Sequence, residues 1–140
     1  MFIKIKPMTP DHYDQVLALW QAAEGVGLSE ADSRLAITSY LERNAGLSLL
    51  AIQNGQIAGA VLCGHDGRRG FIHHLAVRPE SRRQGIGRRL VEQCLGGLRS
   101  QGIQKCHLFV FRDNQQAIEF WRALGFTGRD ELSMMSTLIE

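Results

Sequence analysis

The chain has 140 residues, 44% hydrophobic and 21% charged, the balance of an ordinary globular domain. A chain of this size buries roughly two-thirds of its unfolded surface without metal or disulfide staples, so residues 1–140 are expected to form a single domain. A net charge of +2, short apolar runs and three cysteines without metal-type spacing (Cys63, Cys94, Cys106) exclude disulfide scaffolds, membrane spans and disordered tails, and point to free thiols in the cytoplasm.

Phe2, Ile3 and Ile5, interleaved with Lys4 and Lys6, predict a first strand closed by Pro7. Thr9-Pro10-Asp11 has the chemistry of a helix start, and Tyr13, Val16, Leu17 and Trp20 continue one apolar stripe to about Ala23. Gly25 and Gly27 break it. Ser29 with Asp32 three residues on resembles a capping box for a second helix to Arg43, with Ala31, Leu35, Thr38 and Leu41 on its inner face. The period then changes. Ser48–Gln53 and Gln56–Gly64 flank Asn54-Gly55, a strong hairpin signal, and Phe71–Val77 is a third strand, ended by Pro79. Ile86, Leu90, Cys94 and Leu98 recur every fourth residue and mark a helix over 85–100, with Gly102 just past its end. Cys106–Phe111 is a strand, Gln115–Leu124 a helix stopped by Gly125, and Phe126–Arg129 with Leu132–Leu138 a final strand pair. The order is β-α-α-β-β-β-α-β-α-β-β: an α/β (α+β) fold with a mixed central sheet of about seven strands flanked by about four helices. Strand 71–77, helix 85–100 and strand 106–111 form a right-handed β-α-β crossover with parallel strands.

Charge is unevenly placed. Seven arginines (Arg68, Arg69, Arg78, Arg82, Arg83, Arg88, Arg89) stand against one acid, Glu80, in the same stretch. Within it, Arg82-Arg83-Gln84-Gly85-Ile86-Gly87-Arg88 joins a strand end to a helix start. The first turn of a helix carries unpaired N–H donors and about half a positive charge, so anions bind there. Gly85 and Gly87 let the backbone come close, and Arg82, Arg83 and Arg88 add charge suited to phosphate oxygens. A dinucleotide fingerprint would need Gly where Leu90 stands, and a Walker loop would need Gly-Lys-Ser/Thr, which is absent. What remains is Arg82-x-x-Gly85-x-Gly87, set between a strand and an amphipathic helix.

Leu75 through Gly87 is similar, along its length, to the coenzyme A pyrophosphate motif of the GNAT superfamily of N-acyltransferases. Asn114-x-x-Ala117-x-x-Phe120-Trp121-x-x-x-Gly125-Phe126 resembles that family's second signature. The resemblance covers nearly the whole chain, the first 45 residues in pattern only. It implies that acetyl-CoA is the cosubstrate, with no metal, lying where two parallel central strands splay. Leu75, Ala76 and Val77 would then pair with the pantetheine arm. The amides of Gln84, Gly85, Ile86, Gly87 and Arg88 would hold the pyrophosphate, with Arg82 and Arg83 beside it. Asn114 would contact the pantetheine as well as capping its helix.

The reaction implied is attack by a neutral amine on the thioester, which needs a proton acceptor and an oxyanion donor; a free N–H on strand 71–77 would serve as the donor. His73 is the first choice for general base, since some small-amine acetyltransferases carry a histidine there. Glu24 and Asp32 are candidates to read a cationic acceptor, with solvated helix-end acids as the plainer alternative. Two residues depart from the family pattern. Trp121 stands where many members place a Tyr general acid, and indole cannot deliver a proton. Phe109 falls where ribosomal-protein N-terminal acetyltransferases carry a Glu. The expectation is a cytoplasmic N-acetyltransferase, monomer or homodimer, acting on a small amine, an amino acid, a polyamine or a protein lysine, with no membrane or nucleic-acid partner. Two rivals stay open: a catalytically weak coenzyme A-binding regulatory or protein-interaction module, and an acetyltransferase acting on an RNA-bound amine.

Overall fold

The computed structural model describes residues 2–140. The chain divides into two compact units, Met1–Phe109 and Val110–Glu140. The first contains a five-stranded sheet in the order β1 (Ile3–Pro7), β2 (Leu49–Gln53), β3 (Gln56–His65), β4 (Gly70–Val77), β5 (Cys106–Leu108). Neighbouring strands are antiparallel except β4 and β5, which are parallel as the crossover rule requires. Asn54 and Gly55 both have positive φ, 54° and 75°, the type I′ geometry that joins β2 to β3.

Helices cover both faces of the sheet. On one lie α1 (Tyr13–Ala22) and α2 (Arg34–Arg43), whose Tyr13, Val16, Trp20, Ile37 and Leu41 pack with Leu50, Ala60, Leu62 and Ala76. On the other, α3 (Ile86–Ser100) buries Ile86, Leu90, Val91, Cys94 and Leu98. Gly59 permits this approach: a Cβ there would lie 3.1 Å from Ile86 Cγ2 and 3.2 Å from Leu90 Cδ1. Gly102 (φ 83°) ends α3 in a Schellman motif, in which Ile103 N donates to Leu98 O and Gly102 N to Arg99 O, both at 3.0 Å.

The second unit contains α4 (Gln115–Ala123). Asn114 Oδ1 accepts from Ala117 N at 3.1 Å, capping its start. Its end repeats the Schellman pattern: Phe126 N donates to Trp121 O and Gly125 N to Arg122 O, both at 3.0 Å, and the Trp121 and Phe126 rings meet at 5.2 Å. The Asn-to-Gly-Phe spacing is therefore, physically, a helix with a cap at each end, and Trp121 supplies the apolar contact of the second.

Three expectations are corrected. The sheet has five strands rather than seven, because neither Phe126–Arg129 nor Leu132–Leu138 forms a strand among the described residues. Arg129 pairs with Glu131 at 3.2 Å across a turn, Met134-Met135 breaks the alternation, and a lone hairpin has too little to bury. The strand from Cys106 stops at Leu108 rather than Phe111. The second helix starts at Arg34, because Ser33 caps it, whereas Ser29 and Asp32 box a separate turn over Glu30–Asp32. That extra turn shifts the helical phase, so Ile37 and Leu41 face inward and Leu35 is 78% exposed.

Strand β4 is bulged. Ala60 pairs with Ala76 but Leu62 with His73, so Val61 alone faces both His74 and Leu75. His74 takes the left-handed conformation, φ 55°, that the extra residue demands. Its carbonyl accepts from Nε1 of the fully buried Trp20 at 2.9 Å. Replacing Trp20 with Phe keeps most of the packing but strands that carbonyl; we expect urea denaturation to show a loss of about 1–3 kcal/mol.

Candidate active site

Parallel pairing of β4 with β5 runs from Gly70–Cys106 to Ile72–Leu108 and ends there. Beyond it, β4 continues five residues alone on that side, from His73 to Val77. Leu75, Ala76 and Val77 thus lie on a strand still laddered to β3 but without a strand partner opposite, among the described residues. Such an edge can pair with an extended amide-bearing molecule.

The chain then turns through Pro79–Ser81 into the loop before α3. Arg83 (φ 64°) and Gly85 (φ 75°) are both left-handed, and Gly85 is the α3 N-cap with no side-chain hydrogen bond to it. Left-handed residues next to a helix start turn successive N–H groups toward one concavity, an anion nest. The amides of Ile86, Gly87 and Arg88 are those of the first helical turn. A polar chain rooted in the buried Ser81 and Gln53 holds the loop: Ser81 Oγ donates to Gln53 Oε1 at 2.8 Å, and Gln53 Nε2 donates to Oε1 of the exposed Gln84 at 2.7 Å. Gln53 and Ser81 were not singled out in the sequence. The available signal was a glutamine at the end of a strand, just before the Asn54-Gly55 turn.

The basic cluster sorts itself. Arg78 binds Gln56 Oε1 at 2.7 Å and lies 3.3 Å from Glu80, Arg89 binds Ile3 O at 3.2 Å, and Arg69 reaches Arg68 O at 3.4 Å. The Arg83 and Arg88 side chains are exposed and make no hydrogen bond or ion pair among the described residues. The Arg82 side chain makes one long bond, Nε donating to Val77 O at 3.4 Å. Arg68 likewise contributes only backbone atoms to hydrogen bonds, so the turn supplies three of the cluster's four arginines whose guanidinium groups are little engaged among the described residues.

His73 and His74 lie where β4 loses its partner. The His73 ring stacks on Phe71 (6.2 Å, 3°) and on the 61% exposed Phe109 (6.3 Å, 24°). Burial, and then the neighbouring His74, hold the His73 imidazole below the usual histidine range, while Asp32 pulls weakly the other way. In the unfolded chain it titrates near 6.5. The unfolded state therefore binds more protons as pH falls below that value, and stability, complete above it, declines through it toward the folded pKa. Urea melts at pH 7.5 and 5.5 should show this decline, and His73→Phe should reduce it.

Asp32 is not the solvated acid that its position suggested. It is buried, Oδ2 accepts from Ser29 N at 3.0 Å, and Oδ1 lies 2.8 Å from His74 Nε2. Its carbonyl accepts from the Tyr13 hydroxyl at 2.6 Å. Glu24 is exposed, with no such partner among the described residues. The cysteines are unpaired. A bond with Cys63 and then burial raise the Cys94 thiol, and burial pushes Cys106 up to about 12, so both are inert. No helix among the described residues is long and apolar enough to cross a membrane.

The family described as the acetyltransferase (GNAT) family matches residues 13–126. An acetyltransferase of Pectobacterium atrosepticum is 30% identical over 138 residues, which span 99% of this chain and 97% of the relative. Two solved structures share the fold. Ard1 from Thermoplasma volcanium is 21% identical, with a TM-score of 0.80 over 91% of this chain and 84% of its own. The PaiA N-acetyltransferase from Thermoplasma acidophilum, in complex with coenzyme A, is 20% identical, with a TM-score of 0.78 over 93% of this chain and 92% of its own.

Proposed function

The chain belongs to the GNAT acetyltransferase family, and from that premise we propose that it moves the acetyl group of acetyl-CoA to a primary amine. The observation that carries this reading is the left-handed Arg83–Gly85 turn, opening α3 beside the strand edge that β5 has left. Amides of Gln84, Gly85, Ile86, Gly87 and Arg88 would receive the pyrophosphate, with Arg82, Arg83 and Arg88 neutralising its charge. Leu75–Val77 would take the pantetheine arm as an added strand, and a free amide on the same edge would stabilise the oxyanion. The proton acceptor is a β4 histidine. Trp121 cannot protonate the thiolate, so the sulfur leaves as the anion or is protonated through another group.

Calorimetric titration with acetyl-CoA, followed by thiol release with spermidine, lysine and a lysine-bearing peptide, tests the reading. Saturable binding with amine-dependent thiol release is expected. Binding without release favours a regulatory module, and no binding at millimolar ligand overturns the assignment. An RNA-directed enzyme would instead hold RNA in a salt-sensitive way with acetyl-CoA bound.

A further inference from the structure

We infer that His74, held by Asp32, is the proton acceptor of the transfer reaction, and that His73 is its neighbour rather than the base. This rests on the acetyl-transfer reading above. His74, set by the bulge, lies within the unpartnered stretch His73–Val77 and directly precedes Leu75–Val77, the residues that would carry the thioester arm. A histidine in left-handed backbone is strained, and such strain persists only where the surroundings over-determine it. Here they do. Trp20 binds the His74 carbonyl and its ring meets the imidazole edge-on at 5.1 Å, while Asp32 takes Nε2 at 2.8 Å.

The carboxylate is itself fixed. One oxygen accepts the Ser29 amide and the other faces the imidazole, so both act as acceptors and the ring presents N–H at Nε2. That tautomer leaves the Nδ1 lone pair as the base, with the buried Asp32 fixing the ring's orientation. His73 has no comparable orienting partner: its described neighbours are the rings of Phe71, Phe109, Tyr40 and His74. The titratable groups against the His74 ring are Asp32, from the segment before α2, and His73, from its own strand. From α1 the ring meets Trp20.

The step balances. As the amine nitrogen bonds to the thioester carbonyl carbon, its proton passes to Nδ1. When the C–S bond breaks, the electron pair stays on sulfur, and the imidazolium proton passes to that thiolate directly or through water. The products are an amide and a free thiol, with the imidazole restored. Asp32 acts through His74 and is a positioning residue.

Two measurements test this. In nitrogen-15 spectra of the wild-type protein at pH 8, His74 should carry its proton on Nε2 and none on Nδ1; the opposite tautomer overturns the assignment. In turnover of acetyl-CoA with the fastest of spermidine, lysine and a lysyl peptide, His74→Asn should lower kcat by about 10²-fold or more and remove the acid limb of kcat/KM. Asparagine is chosen because it tolerates positive φ. Asp32→Asn should lower kcat and abolish the Nε2–H tautomer preference in the nitrogen-15 spectrum, a change that a purely structural role would not produce, and His73→Asn should cost less than about tenfold. Calorimetric affinity for acetyl-CoA should persist in all three. A His74→Asn enzyme with wild-type kcat, or with its acid limb intact, overturns the proposal while leaving the acetyl-transfer reading standing. Should the wild type fail to bind acetyl-CoA, that reading falls, and the ring-nitrogen spectrum alone decides whether the dyad exists.

Discussion

Gly85→Val is expected to weaken acetyl-CoA binding by roughly a hundredfold while leaving the domain folded, since losing one hydrogen bond to a charged group costs about 1.5–3 kcal/mol and more than one amide is displaced. The effect is conformational, not steric. A Cβ at Gly85 would meet nothing within 4 Å, but φ is 75°, which a β-branched residue does not hold. Relaxing to negative φ would turn the α3 amides out of their common concavity. Calorimetry reads the affinity and a thermal melt reads the fold. Gly85→Asn, which tolerates the left-handed region, should recover much of the loss. If valine at position 85 binds acetyl-CoA as tightly as wild type, the pyrophosphate does not lie on this turn.

Gly64→Val should have the largest effect on stability, about 3 kcal/mol, equivalent to a fall of about 10 °C in Tm for a chain of this length. The reason is the opposite of that at Gly85. A Cβ at Gly64 would lie 2.5 Å from Tyr40 Oη and 2.6 Å from Asn44 Cγ and Nδ2, and neither neighbour can easily yield. Asn44 is buried; its Oδ1 accepts from His65 N at 3.0 Å and its Nδ2 donates to Tyr40 O at 3.3 Å, tying the end of α2 to the end of β3. Pushing it aside breaks those bonds or lifts the helix from the sheet. Thermal melts of Gly64→Ala and Gly64→Val should fall in that order, and a valine variant with the wild-type Tm would show that this helix end is loosely held.

Much of the fold was legible because its signals are local. Asn54-Gly55 makes a hairpin whatever surrounds it, since both residues accept positive φ. Gly102 and Gly125 stop α3 and α4 by backbone rules that act over six residues. The left-handed turn before α3 was equally readable, because glycine freedom and a helix start fall within seven consecutive residues. The expected last strand pair does not form among the described residues, because a strand has no meaning without a partner and the apolar residues from Leu132 onward name none.

Sequence by itself determined the parallel crossover, the glycine turn that opens α3 and the family, all of which depend on residues close in the chain or on element order. Only tertiary structure decided which histidine is held. Simple alternation puts His73 and His74 on opposite faces and says nothing of a bulge, yet the one-residue slip between Ala60 and Leu62 sets His74 in left-handed backbone. It also delivers that ring to Asp32, 42 residues away, and its carbonyl to Trp20, 54 away. Register is a property of two strands and burial a property of the packed chain, so no local rule can supply either.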